Sequence, residues 1–280
     1  MVRQRFFDGY GVVIPVGAEN IEARSSSGLV LDGEVVADPS TDAFAVYTFD
    51  LPGNLFSGQS TNVAVSYDHR GLPPRSEIPW RSNAAYSSMI AFGGGDTGEV
   101  SIDVVLPTGY TLDDFSDVEE FVRQATDEAG TVTYSASGLD EEFGALISVS
   151  NDDRLVSTPI DVDEAAFVIE SWPGDDEWIT FTENHLAVGV PGLKELIGSG
   201  WPVEDELAIR ETVEPAFAGY AGWFDAQASE IAVGEELDAD TVFHELSHAW
   251  FNSDRFDQRW LVEGFAQTYA AEMIRLDDGP

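Results

Sequence analysis

Cysteine is absent from this chain of 280 residues, and lysine occurs once, at Lys194. The absence of cysteine excludes disulfides, thiol catalysis and a thiolate ligand for a metal ion. The sequence also has no run of about 20 apolar residues, which is the length that a membrane-spanning helix needs. Its first residues, 1–7, do not have the pattern of a secretory signal peptide. We therefore expect membrane anchoring only through segments outside this chain.

Basic residues are scarce relative to acidic ones. The chain has 52 Asp and Glu against 13 Lys and Arg, which gives a formal net charge of −39. Such self-repulsion destabilises a compact protein at low ionic strength, whereas molar salt shortens the Debye length to about 3 Å and screens it. We therefore expect a halophilic source, because a genome rich in G and C would explain the single lysine but not the excess of acids. Nucleic acids and anionic membranes are disfavoured as partners, since both bind basic patches.

The apolar content predicts a folded protein of two domains. Hydrophobic residues make up 43% of the chain and aromatic residues 11%, enough for a sizeable core. Residues 1–167 are rich in short alternating or β-branched runs separated by Gly, Pro and Asn, which is typical of an antiparallel β-sandwich or saddle domain. Residues 168–280 mix helical and strand patterns. The fold class is therefore α+β. The runs that predict strands cover 11–16, 43–49, 61–67, 99–106, 131–135, 145–150, 166–171, 206–212 and 229–234.

The strongest chemical signal lies near the end of the chain. His244 and His248 stand at positions i and i+4, so on a helix both imidazoles point to the same side and can bind one metal ion. Glu245 follows His244 directly, where a general base for a bound water belongs. Glu263, on a second predicted helix, is a natural third ligand. Three protein ligands and an open fourth position are typical of a catalytic zinc site, with one Zn²⁺ per chain.

Two of the chain's four histidines form this pair, which argues against a chance occurrence of the motif. Gln267, one turn after Glu263, is a candidate to hydrogen-bond the outer nitrogen of a ligating histidine and to hold its tautomer.

The motif resembles that of the gluzincin metallopeptidases, in particular their aminopeptidase-N-like branch. The similar stretches are 244–251 (HELSHAWF) and 262–266 (VEGFA). The resemblance implies His244, His248 and Glu263 as zinc ligands and Glu245 as the base that activates water. It also implies a β domain ahead of a thermolysin-like mixed α/β catalytic domain, which this chain would contain only in part. We expect the chain to belong to a longer, extracellular or cell-surface protein, and a cytoplasmic location stays open.

The resemblance also suggests where a substrate would lie. In thermolysin-like folds the strand before the zinc helix borders the cleft, so Glu230, Ile231 and Val233 are predicted to form an edge strand with which a peptide can pair. Two features of the branch are missing. Residues 222–227 (GWFDAQ) replace its amine-binding Gly-x-Met-Glu-Asn segment, and the chain ends at Pro280, before the position of its oxyanion-stabilising tyrosine.

The predicted function is zinc-dependent hydrolysis of a peptide or protein substrate, with the choice between endopeptidase and aminopeptidase undecided. Two other classes stay open. One is a non-catalytic binding or surface module that keeps a metal for stability. The other is a zinc hydrolase that acts on a non-peptide substrate.

Overall fold

The computed structural model describes residues 6–78, 80–94, 98–113, 121–124, 126–127, 130–139, 142–213 and 220–277. The chain separates into two compact units, Met1–Gly71 and Leu72–Pro280. No helix within the described residues is long and apolar enough to cross a membrane.

The first unit consists of antiparallel strands. Its sheets have the orders β1-β5-β4 and β3-β2-β6. The buried core takes Tyr47 and Phe49 from the first sheet and Ala23 and Leu31 from the second, because alternate residues of each strand point inward. The strands are β1 (Phe6–Pro15), β2 (Glu19–Ser25), β3 (Val30–Leu31), β4 (Gly33–Ala37), β5 (Phe44–Phe56) and β6 (Val63–Asp68).

The second unit begins with two further antiparallel sheets, of orders β10-β13-β8-β7 and β11-β12-β9. Val100, Val104, Ala145 and Ile147 belong to one buried cluster that joins both sheets. The strands are β7 (Arg81–Ser82), β8 (Tyr86–Gly94), β9 (Val100–Leu106), β10 (Thr111–Leu112), β11 (Val122–Arg123), β12 (Val132–Leu139) and β13 (Glu142–Ser150).

Within the described residues, the rest of the second unit forms a five-stranded mixed sheet and three α-helices. The strand order is β14-β15-β16-β18-β17, in which β15, β16 and β18 run parallel and the outer strands run antiparallel to their neighbours. The elements are a 3₁₀ turn (Asp152–Arg154), β14 (Val156–Val162), β15 (Ala165–Ser171), α1 (Asp176–Ile197), β16 (Leu207–Thr212), β17 (Gly222–Asp225), β18 (Glu230–Gly234), α2 (Ala239–Ser247) and α3 (Arg259–Asp277).

Helix α1 has clear start and stop signals. The Asp175 side chain accepts a hydrogen bond from the Trp178 amide, and Gly198 ends the helix at φ 75°, a left-handed conformation that suits glycine. Gly189 lets α1 approach α2 closely, because a Cβ there would lie 3.1 Å from the Phe243 ring. The core of this part is formed by residues of the mixed sheet, such as Phe167 and Ile209, together with apolar residues of the helices, such as Leu186 and Phe243.

The structure confirms the α+β class, since small antiparallel sheets coexist with a helical part. Each predicted strand overlaps an observed one. The thermolysin-like description of residues 168–280 stays a prediction, as does the domain boundary at 167/168. That boundary falls within β15, whereas the two compact units divide after Gly71.

Candidate metal centre

Helix α2 carries the histidine pair. Asp238 caps the helix by accepting hydrogen bonds from the Asp240 and Thr241 amides. Val242 and Leu246 are buried in the core, which fixes the rotation of the helix about its axis. The helix ends at Ser247, and His248 is its C-terminal cap with helical backbone angles of φ −64° and ψ −17°, so the i, i+4 relation is kept.

Helix α3 brings the third candidate ligand to the same place. Oε2 of Glu263 lies 3.3 Å from Nε2 of His244 and 3.7 Å from Nε2 of His248. One ligand atom from each of the three side chains falls within 4.8 Å of the others. The two imidazole rings stand edge to face, with centroids 4.9 Å apart. Residues from two separate helices thus converge as the sequence predicted.

A main-chain oxygen orients His248. Its Nδ1 lies 2.8 Å from the carbonyl oxygen of Phe251, an acceptor that requires the proton to be on Nδ1. Nε2 is therefore left with its lone pair directed toward His244 and Glu263. Burial lowers the pKa of His248, and the nearby His244 lowers it further, whereas the Phe251 carbonyl and Glu263 oppose this. A neutral imidazole is the form that binds a metal ion.

These donors fit a zinc ion. Two imidazole nitrogens and one carboxylate form a three-ligand set that zinc accepts, and cysteine is not needed. A histidine that binds a metal ion through one ring nitrogen usually donates a hydrogen bond from the other nitrogen, and the bond from Nδ1 to a carbonyl oxygen is of this kind. Within the described residues, His244, His248 and Glu263 are the group whose ligand atoms lie close enough together to hold a metal ion.

Glu245 is placed beside this group and not within it. Its side chain is 6% exposed, and burial raises the pKa of its carboxyl to about 8, with a smaller contribution from the negative charge of Glu263. A cation held by the three ligands would favour the carboxylate form and lower this pKa. The buried carboxylate lies at the wall of a cleft and is thus available to exchange a proton there.

The cleft has a volume of about 590 Å³. Tyr220 and Arg259 lie at its rim, where an Nη2 of Arg259 is 3.4 Å from the Tyr220 hydroxyl. Besides the site residues, its lining includes Ala221, Gly222, Trp223, Phe224, Ala226, Asp240, Thr241, Asn252, Ser253, Phe256, Asp257, Val262 and Gln267.

The prediction that residues 230–233 form an edge strand is wrong. Glu230, Ile231 and Val233 lie in β18, which is paired on both sides, with β16 and with β17. Ile231 and Val233 are buried in the core, and Glu230 forms an ion pair with Arg210 at 3.3 Å. The physical reason is that residues 222–225 fold back against β18 as a further strand, so that β17 takes the edge and lines the cleft.

Gln267 lines the same cleft, but its observed hydrogen bond goes to a different partner. Its Nε2 donates to Oδ2 of Asp240 at 3.2 Å. Gln267 lies one turn after Glu263 on α3, and this turn is next to the first turn of α2, where Asp240 lies. Nδ1 of His248 is hydrogen-bonded to the Phe251 carbonyl. The predicted hydrogen bond between Gln267 and a ligating histidine is therefore not formed among the described residues.

Sequence reasoning missed the carbonyl of Phe251 and the close approach of Gly222 to Glu245. A main-chain oxygen has no residue signature, so nothing in the sequence marks the first. The second had a faint signal, because residues 222–225 include two aromatic residues, a type that favours strands, shortly before a predicted strand.

Comparisons with known proteins give distant similarities. No protein-family model matches the chain. The M1 zinc metallopeptidase of Deinococcus radiodurans is similar in structure with a TM-score of 0.36 and 16% identity, over 99% of this chain and 64% of that one. A variant of that enzyme bound to a Tyr-Ser-Ala substrate has a TM-score of 0.37 and 15% identity, over 97% of this chain and 67% of that one.

Among curated proteins, the bifunctional protein HldE of Gluconobacter oxydans (strain 621H) is 25% identical over 212 residues. These cover 74% of this chain and 40% of that protein. The chain thus spans less than two thirds of both HldE and the first of the two structures.

Proposed function

We propose that this chain is the zinc-binding part of a metallopeptidase that hydrolyses peptide bonds. The observation that carries the proposal is the convergence of His244, His248 and Glu263 within 4.8 Å, at the wall of a cleft that also contains Glu245. Three ligands with one open position are typical of catalytic zinc, whereas structural zinc sites are closed by four protein ligands.

Zinc bound to His244, His248 and Glu263 would supply Lewis-acid polarisation of a substrate carbonyl and acidify a water molecule. Glu245 provides the proton acceptor: one carboxylate oxygen takes a proton from the attacking water, whose oxygen adds to the carbonyl carbon. As the C–N bond breaks, the same oxygen of Glu245 returns the proton to the leaving nitrogen. Burial raises the pKa of the Glu245 carboxyl to about 8, and a zinc ion beside it would lower that pKa and favour the carboxylate form that accepts the proton.

The edge strand β17 supports a peptide as the substrate class. Gly222, Trp223 and Phe224 of this strand line the cleft, and the strand pairs with β18 on one side. An extended peptide that aligned with the other side would gain main-chain hydrogen bonds without demanding a particular sequence. A small non-peptide substrate would make no use of this strand.

Metal content and hydrolysis of a peptide library test the proposal. We expect about one zinc per chain, and cleavage that a chelator abolishes. Glu245→Gln should retain the zinc and lose about 10²- to 10⁴-fold in kcat, the contribution of a general base. Glu195→Gln, an exposed substitution on α1, is the matched control and should match the parent chain.

Zinc binding without hydrolysis of any peptide by the full protein would favour a metal-stabilised binding module. Full activity of Glu245→Gln would refute the role of Glu245 as the base.

A further inference from the structure

Gly222 is a cleft residue that the proposed reaction does not use directly. It begins β17, where it lies opposite Val233 of β18. A Cβ atom on Gly222 would lie 2.7 Å from Cγ, 2.8 Å from Oε1 and 3.0 Å from Cδ of Glu245. Nonbonded carbon atoms pack at about 3.5–4.0 Å. Any side chain at position 222 would therefore overlap the Glu245 side chain.

Neither partner can move away easily. Glu245 is 6% exposed, and its helix is fixed by Leu246, which is buried in the core. The strand is held by its antiparallel pairing with β18, and the Gly234 amide donates to the carbonyl of Ala221 at 2.8 Å. The overlap involves Cγ as well as the carboxylate, so rotation at the far end of the side chain would not relieve it.

The same face of β17 also reaches a metal ligand. Residues two apart in a strand share a face, so Phe224 points to the same side as Gly222. The Phe224 ring lies 6.1 Å from the His248 ring, measured between centroids. One face of β17 thus lies against both the candidate base and a candidate ligand.

We propose that Gly222 is a positioning residue for Glu245: its lack of a side chain lets β17 form the wall that holds the carboxylate in place. This inference rests on the proposed function only for its catalytic consequence. The contact itself is a property of the fold, and it can be tested without zinc or substrate.

A double-mutant cycle tests the contact. Urea denaturation midpoints of the full chain are measured for the parent, Gly222→Ala, Glu245→Ala and the double variant. We expect Gly222→Ala to lower the midpoint at least twice as much in the parent as in the Glu245→Ala background, because the second change removes the atoms that Cβ would meet. Equal losses in both backgrounds would overturn the proposal.

Gly144→Ala is the matched control, since Gly144 lies in β13 and its Cβ would meet an atom of Phe92 at an ordinary 3.9 Å. It should shift the midpoint equally in both backgrounds. If Gly222→Ala does not fold, the double variant decides: a folded double variant supports the contact, and an unfolded one overturns it.

Kinetics test the consequence. Gly222→Ala should lower kcat about 10- to 100-fold with KM and zinc content unchanged, because a base displaced by about 1 Å loses this much. An unchanged kcat, or loss of zinc, would overturn the positioning role. If the parent chain hydrolyses no peptide, the proposed function fails, and the denaturation cycle still decides the contact.

Discussion

Arg81 and Glu235 form an ion pair in which the exposed fractions of the two side chains are 2% and 1%. Nε of Arg81 lies 2.9 Å from both carboxylate oxygens, and one of its terminal nitrogens also contacts Oε1. The remaining donors bind the carbonyl oxygens of Ile78 and Ser76. The pair connects β7 with the turn that leads from β18 into α2, the helix that carries the histidines.

Breaking this pair should be costly. Glu235→Gln leaves a buried guanidinium without its counter-charge, and we expect a loss of about 3–5 kcal/mol in the free energy of unfolding. The double variant Arg81→Met/Glu235→Leu should lose less than the single variant, because no buried charge is left alone. Urea denaturation measures both, with the exposed Glu206→Gln as the control. A double variant less stable than the single one would contradict the prediction.

Glu211 predicts how stability depends on pH. Burial, with the charge of Asp175, raises the pKa of its carboxyl to about 9, although its Oε2 accepts a hydrogen bond from the Trp172 amide. The unfolded pKa is near 4.5, so between pH 4.5 and 9 the folded state binds more protons than the unfolded state. Stability from this group therefore falls as pH rises through that window, by up to about 1.4 kcal/mol per pH unit.

Replacing Glu211 with Gln should remove this dependence. We expect Glu211→Gln to be more stable than the parent at pH 8 by about 1–3 kcal/mol and to differ little at pH 5. Unfolding midpoints at both pH values measure the difference, and Glu206→Gln again serves as the control. A difference that did not grow between pH 5 and pH 8 would contradict the assignment.

Each proposed ligand should be needed for metal binding. The double variant His244→Ala/His248→Ala should bind no zinc. Glu263→Gln should lose at least about 100-fold in zinc affinity, because removing a residue that only hydrogen-bonds to a ligand already costs about 10- to 100-fold. Competition with a chromophoric chelator measures the affinity. Glu272→Gln, a change on the same helix at a side chain that is 47% exposed, should bind as the parent does. Normal zinc affinity of the Glu263 variant would remove it from the ligand set.

The charge of −39 predicts a strong dependence on salt. Raising NaCl from 0.1 to 1 M shortens the Debye length from about 10 to 3 Å and screens the repulsion among carboxylates. We expect Tm to rise, by about 2–4 °C for each kcal/mol gained. The same series in KCl separates screening, which depends on ionic strength, from specific ion binding. A constant or falling Tm would contradict the expectation of a salt-adapted protein.

The sequence by itself determined the local features of this protein. The spacing of His244 and His248 places both on one side of a helix whatever surrounds it, because the α-helical repeat is 3.6 residues. Alternating apolar residues likewise mark strands, whose side chains repeat every two residues, and Asp238 is of a residue type that caps helices. The candidate third ligand, Glu263, was predicted because its helix follows directly and its neighbours resemble a known motif.

Only the tertiary structure decided how these elements meet. Residues 229–234 were predicted correctly as a strand, β18. The position of β18 inside the sheet depends on β17, which folds back and pairs with it. The alternation of side chains along a strand does not indicate which strands will lie beside it. Three other contacts also depend on how segments pack together: the hydrogen bond from His248 to the Phe251 carbonyl, the contact of Gly222 with Glu245, and the buried ion pair of Arg81 with Glu235. Periodicity is a property of a segment, whereas contacts between segments arise only when the whole chain packs.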